Sequence, residues 1–466
     1  MPAVHTPAAE HPPWRALVAL LIGVFIIAID FFIVNVALPS MQHDLKATDS
    51  DLEWFVAAYA LGVAVFLMAA GRLGDRFGRR GAFLLGIAVF TAASVLCAVS
   101  PYSPVLIVAR FIQGVGTAFV MTSVLSTIGV LFPGAARAKA VAFYAAVLGL
   151  GAAAGQVIGG ALIAADVFGM EWRAIFAINV PIGILALVLA LLLVPRTRAA
   201  SSLRVDVVGM ALMTATVLAL VLPLIQGRQV DWAPWTWVSL GLVPVLVTVF
   251  VVQQRSLEAR GGAPLFPRML LATPAFRSGL AWQLVFWCGQ SSFFVVLTLF
   301  LQQGLMLSAF GAGCLFVIMA VPYVASTFVA PRLVRRLGRG VLVLGGVANL
   351  LGLAALASVA LSGSSAGWLA IGFVLCGIGQ GLSIPPSTAI VLGTADPSQA
   401  GAVSGALSTM QQVGGCVGVA VVSSVYFGAL GSGAPAAYAA AIIPLAAFSL
   451  VASVLISALP RTRGAQ

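Results

Sequence analysis

The chain has 466 residues, 61% of them hydrophobic and 8% charged, which excludes a soluble globular domain and places it among membrane proteins. The net charge of +11 does not make it a nucleic-acid binder, because the basic residues are distributed by the membrane rule set out below. Three histidines and five cysteines are too few and too scattered for a metal cage. Cys97, Cys288, Cys314, Cys376 and Cys416 all lie in apolar runs and read as small buried hydrophobes. Of the 24 Lys and Arg only Lys46 and Lys139 are Lys, which with abundant Ala, Gly and Val suits a GC-rich bacterial source.

In chain order, residues 1–14 form a proline-rich tail expected to be disordered, and the apolar run after Arg15 is long enough to span and has no clear cleavage site. A span needs about 20 apolar residues. Fourteen stretches qualify, near 15–38, 53–71, 81–99, 104–127, 139–163, 173–194, 205–226, 234–254, 275–302, 308–331, 340–361, 366–391, 400–427 and 435–459. With the N-terminus placed in the cytoplasm, twenty basic residues fall on the cytoplasmic side. Lys46, Arg173 and Arg228 fall on the other, and Arg110 lies inside a span. A miscount by one helix would scramble this asymmetry, so the sequence predicts an all-α integral membrane protein with both termini cytoplasmic.

The short stretch Gly71-Arg-Leu-Gly-Asp-Arg-Phe-Gly-Arg-Arg80 between the second and third spans reads as a tight cytoplasmic turn. It has an echo in Pro331–Arg339, which matches Gly71–Arg79 at five of nine positions, with Arg335 in place of Asp75. Gly151-x-x-x-Gly155 and Gly414-x-x-x-Gly418 recur at nearly the same offset. Two related six-helix halves, 15–194 and 275–459, are therefore expected, with connectors and two inserted helices over 195–274 and a short tail over 460–466.

Of the 13 acids, Asp30 alone lies deep within a span, roughly 13 Å from its outer end at 1.5 Å per residue. A carboxylate in hydrocarbon is costly and marks either a functional group or a paired acid that fixes helix contacts. Arg110 and Gln113 on the oppositely running fourth span reach a similar depth; Arg110 can tune an acid without carrying the proton, or can snorkel to the interface. Gln283, Trp287, Gln290, Phe294 and Gln302 in the ninth span, with Asn35, Gln380, Gln411 and Gln412, are polar or aromatic points that either line a cavity or bond across helices. A mainly apolar cavity with one acid suits a small lipophilic compound, including a cationic one. One carboxylate cannot hold proton and cation together, so exclusion at Asp30 would give exchange.

The order G-x-L-x-D-R-x-G-R-R at Gly71–Arg80 resembles the signature of the major facilitator superfamily. That resemblance implies a cytoplasmic latch between two helical bundles made by Gly71, Asp75, Arg76, Gly78, Arg79 and Arg80. D-x-x-I-V-N-V-A-L-P from Asp30 and R-x-x-Q-G-x-G from Arg110 also resemble family motifs, and imply that Arg110 serves proton coupling. Leu148–Gly160 looks like the antiporter motif of the family's exporters, carrying Gly151, Gly155, Gly159 and Gly160, with Gln156 where proline is usual; less bending is then expected. Trp172–Gly183 and the Asp206/Gly209 pair resemble the fourteen-span drug:proton antiporter branch.

The reading is a monomeric exporter of lipophilic drugs or a secondary metabolite, driven by the proton-motive force with no cofactor. The alternative is a facilitator or importer of one metabolite. A nucleotide-driven pump lacks its phosphate loop, since neither lysine stands in G-x-x-x-x-G-K-[ST]. A membrane-embedded enzyme would need acids, histidines or a nucleophile and base clustered inside the spans.

Overall fold

A computed structural model describes residues 13–132, 134–196, 206–262, 264–265, 273–362, 366–392 and 400–456. Residues 1–12 and all of 460–466 of the expected tails, with connector residues 197–205 and 266–272, lie outside the described residues, whereas Trp14, expected in the tail, opens the first helix. Among the described residues, fourteen helices are long and apolar enough to cross a membrane. They are α1 (Trp14–Leu45), α2 (Asp49–Phe77), α3 (Arg79–Ala98), α4 (Ser103–Leu131) and α5 (Gly134–Ala165). There follow α6, broken into Ala174–Ala177 and Asn179–Leu193, then α7 (Val207–Gln226), α8 (Pro234–Ala259) and α9 (Pro274–Leu299). The last are α10 (Ala309–Leu337), α11 (Gly340–Ser362), α12 (Ala366–Leu392), α13 (Ala400–Ala429) and α14 (Ala434–Leu455). Helices satisfy their own backbone groups, which hydrocarbon cannot do for them.

Local chemistry sets the ends. The Thr48 side chain and Asp51 cap each other's backbone N–H at the start of α2. Proline occupies the first turn of α4, α8, α9 and α14, where its missing N–H is not needed. The signature stretch is more helical than its composition predicts. α2 runs through it to Phe77, and the turn is the single residue Gly78 at φ 96°. The echo behaves alike: α10 runs to Leu337 and ends at Gly338, φ 55°. Both positions need a left-handed backbone, so both repeats keep glycine there.

α1 packs on α5, and α2 and α3 pack on α4; in the second half α9 packs on α13, and α12 on α10 and α11. The halves meet along α2–α13 and α5–α10. At the arginine-rich, cytoplasmic end each half has a separate core, one around Phe83, Phe90 and Phe132 and one around Phe276, Val341 and Val403. At the outer end a single core joins them, running from Ile33 and Phe55 through Phe294 and Phe300 to Phe316 and Tyr426. Gln302 Nε2 donates to Val36 O across this seam at 2.8 Å, and Gln303 Nε2 to Gln42 Oε1 at 3.2 Å. Among the described residues the two halves thus share one buried core at the outer end and keep separate cores at the cytoplasmic end.

The inserted pair sits beside the seam. α7 meets both α2 and α13 and packs on α8. Only 6% of the apolar stretch of α8 is buried, so its Val and Trp side chains face lipid. Cys314 is also exposed, on α10, whereas the other four cysteines are buried as expected. Its neighbours Phe310, Val317 and Val321 are exposed too, so this face of α10 is a lipid face.

Candidate functional site

Asp30 stands midway along α1, fully enclosed inside the first half. Its Oδ2 accepts from Arg110 Nη1 at 2.6 Å. Its Oδ1 accepts from Gln113 Nε2 at 2.8 Å and from Asn179 Nδ2 at 2.7 Å. Arg110 and Gln113, three residues apart, share one face of α4, and Arg110 Nη1 also donates to Gln113 Oε1 at 2.6 Å. Ser94 Oγ on α3 accepts from Gln113 at 2.8 Å and from Asn179 at 3.3 Å. The guanidinium is held further by Phe55 O at 3.0 Å and lies 4.3 Å from the centre of the Tyr59 ring. Four donated hydrogen bonds and an aromatic face thus surround one buried ion pair, the arrangement that makes such a pair tolerable in low dielectric.

Asn179, Ser94 and Tyr59 were not among the residues the sequence singled out. A signal for Asn179 was present: it lies in Trp172–Gly183 two residues before Pro181. Proline cannot donate to the carbonyl four residues back, which is where α6 breaks, between Ala177 and Asn179. The backbone at Ile178 stays helical, at φ −61° and ψ −26°, and the Asn179 amide reaches Asp30 on α1. Seven and six residues earlier, Trp172 Nε1 and Arg173 Nη1 both donate to Asp44 Oδ2, at 2.9 and 2.6 Å, fastening the start of α6 to the outer end of α1.

The exclusion of a cationic cargo at Asp30 does not fit this geometry. Every partner of the carboxylate belongs to the first half, and none of its surface is open. The residues expected to line one cavity are also dispersed. Phe294 meets Phe32 edge-on at 5.0 Å and stacks on Phe316 at 5.6 Å, within the closed outer seam. Gln302 ties that seam. Asn35 donates to Phe32 O on its own helix at 3.3 Å, and Gln380 points its amide at Met319 Sδ, 3.8 Å away. Gln290 lines a small cleft of about 20 Å³ with Asn349 and Ser449, between α9, α11 and α14 of the second half. Trp287 packs edge-on to Phe286, and Gln411 is half-buried on α13.

In the signature stretch, Arg80 donates to Val194 O at 3.0 Å and Leu191 O at 2.6 Å, so it caps the cytoplasmic end of α6 in its own half. The side chains of Asp75 and Arg76 lie outside the described residues. On α5 the glycines make close helix contacts: Gly155 and Gly159 on Ile29 and Ile33 of α1, Gly160 on Ala309 and Phe310 of α10. With Gln156 in place of proline, α5 runs as one helix from Gly134 to Ala165. Asp206 caps α7 by accepting from Gly209 N at 2.8 Å and also takes Gln253 Nε2 at 2.9 Å.

The Major Facilitator Superfamily profile matches residues 20–419. The chain is 37% identical over 439 residues to a probable actinorhodin transporter of Streptomyces coelicolor, covering 92% of this chain and 76% of that protein. It is 33% identical over 420 residues to the multidrug resistance protein Stp of Mycobacterium tuberculosis, covering 88% and 75%. It is 30% identical over 447 residues to the tetracenomycin C resistance and export protein of Streptomyces glaucescens, covering 94% and 81%. Among solved structures, a D-xylose–proton symporter superposes with a TM-score of 0.71 at 15% identity, covering 97% of this chain and 99% of that one; at that identity the likeness concerns the fold. Fourteen apolar helices and these relatives together make the chain a multi-pass bacterial plasma-membrane protein that moves small lipophilic compounds by secondary active transport. It belongs to the major facilitator superfamily, in the drug-transporter branch.

Proposed function

We propose that the protein exports its cargo in exchange for protons, and that Asp30 is the proton carrier. The observation that supports this most is the enclosure of Asp30 by Arg110, Gln113 and Asn179. The ionised acid is fully satisfied there, and a proton on it would release Arg110. The guanidinium then still has Phe55 O, Gln113 Oε1 and the Tyr59 face. α1 and α2 both reach the outer seam, through Phe32 on Phe294 and through Phe55 in the shared core. Loss of the ion pair therefore acts on the helices that close the outer side, and proton and cargo are coupled through shape rather than through one shared carboxylate.

The moving bodies in this reading are residues 15–194 and 275–459. The inserted segment 195–274 touches both: Met213 and Leu265 join the cytoplasmic core of the second body, while Val217, Val221 and Ile225 share a core with Trp54 and Leu61 of α2. Export as the direction draws support from relatives named for multidrug resistance and for tetracenomycin C export. In inside-out vesicles under an imposed proton gradient, lipophilic dyes accumulate with the native protein and not with Asp30→Asn at equal expression. Equal gradient-driven uptake by both removes Asp30 as the carrier. Uptake of no dye by the native protein points instead to one dedicated cargo.

A further inference from the structure

The antiporter helix holds one group that the proton site does not use. Gln156 is 1% exposed, and both its amide nitrogen and its amide oxygen are buried with no hydrogen-bond partner. The side chain lies in the outer half of α5, nine residues before its end at Ala165. Positions 151, 155 and 159 of α5 face α1, whereas 149 and 160 face Tyr323 and Ala309 of α10. At 100° per residue, Gln156 falls between these two faces. Its own backbone carbonyl is the contact point of Gly313 on α10. The amide is therefore trapped where the two halves are pressed together on the outer side.

A buried amide whose donor and acceptor are both unmade opposes the state that buries it. Here that state is the closed outer seam. Parting of α5 from α10 would admit water, or a polar group of a departing cargo, to both ends of the amide. We propose that Gln156 is a polar wedge in the outer seam, weighting the protein toward its outward-facing form against the apolar burial that favours closure. Proline, usual at this place in the resembling motif, has no side-chain polar group and cannot act so. The amide carries no titratable proton, so the bias is independent of pH, unlike any effect of Asp30. The inference concerns populations of states and does not rest on proton coupling or on the identity of the cargo.

The test places spin labels at Ala164 and Met306, exposed outer-end positions on opposite halves, with the exposed Cys314 replaced by serine and the four buried cysteines kept. Pulsed EPR distances in lipid nanodiscs report the closed and parted seam. Gln156→Met keeps the volume and removes both polar atoms. It is expected to lower the parted-to-closed ratio roughly tenfold, the scale of one lost unsatisfied amide, equally at pH 6 and pH 8. It is also expected to raise the thermal midpoint. Gln156→Ala shifts the ratio in the same direction and serves if the Met variant does not fold. A native ratio in both variants, a shift at one pH only, or a native protein already wholly closed overturns the proposal.

Discussion

Sixteen residues into α1 stands Asp30, and sixteen residues into α9 stands Gln290. Each looks into its own half, toward the third and sixth helices of that half: Ser94 and Asn179 around Asp30, Asn349 and Ser449 around Gln290. The first site is filled, with an ion pair and converging amides; the second is a small cleft of about 20 Å³ in which Asn349 Nδ2 donates to Ser449 Oγ at 2.9 Å. The difference follows from charge. A buried carboxylate needs a cation and donors on both oxygens, as Asp30 has, whereas a neutral amide tolerates a gap of about one water's size. At equivalent places in two halves of common design there is thus one charged site and one neutral site.

Removing the cation should break this comparison most visibly. Arg110→Met leaves Asp30 enclosed with no positive partner, at a cost of about 3–5 kcal/mol. Its thermal midpoint in detergent should fall well below that of native protein, and gradient-driven dye uptake should vanish. The double variant Asp30→Asn/Arg110→Met should regain most of the midpoint and none of the uptake; recovery of uptake would mean that the pair is structural. Asn179→Leu removes one donor from the carboxylate and should cost about 1.5–3 kcal/mol by the same unfolding measurement, as expected for a hydrogen bond to a charged group. Gly78→Ala and Gly338→Ala compare the two repeats at their turns. Each should lose about 1–2 kcal/mol from its left-handed backbone, and similar losses at both would show that the echo is one of conformation. Smallest is Gln290→Leu, which fills the neutral cleft: a change within about 1 kcal/mol and native uptake are expected. Loss of uptake there would place the second half in the coupling path.

Much of the frame was legible because membrane solvation is a one-dimensional constraint. Apolar length gave fourteen spans, and arginine asymmetry gave their direction. Asp30 and Arg110 were found together because each is costly alone and their depths could be counted along helices. Asn179 escaped because an amide costs less than a charge and draws less notice in an apolar run. Which of the polar and aromatic points face one another stayed open for a related reason: depth can be read from a sequence, but the angle around a helix relative to its neighbours depends on packing.

The order of residues by itself therefore determined the span count, the orientation, the repeat and the two charges that must meet, since each follows from the free energy of moving a group between water and hydrocarbon. Tertiary structure decided the rest. It enclosed Asp30 among partners of the first half, and put Gln302 and Phe294 in a closed outer seam. It also left the Gln156 amide without partners. Those outcomes depend on which helix faces which, and that is set by how fourteen apolar rods fit together.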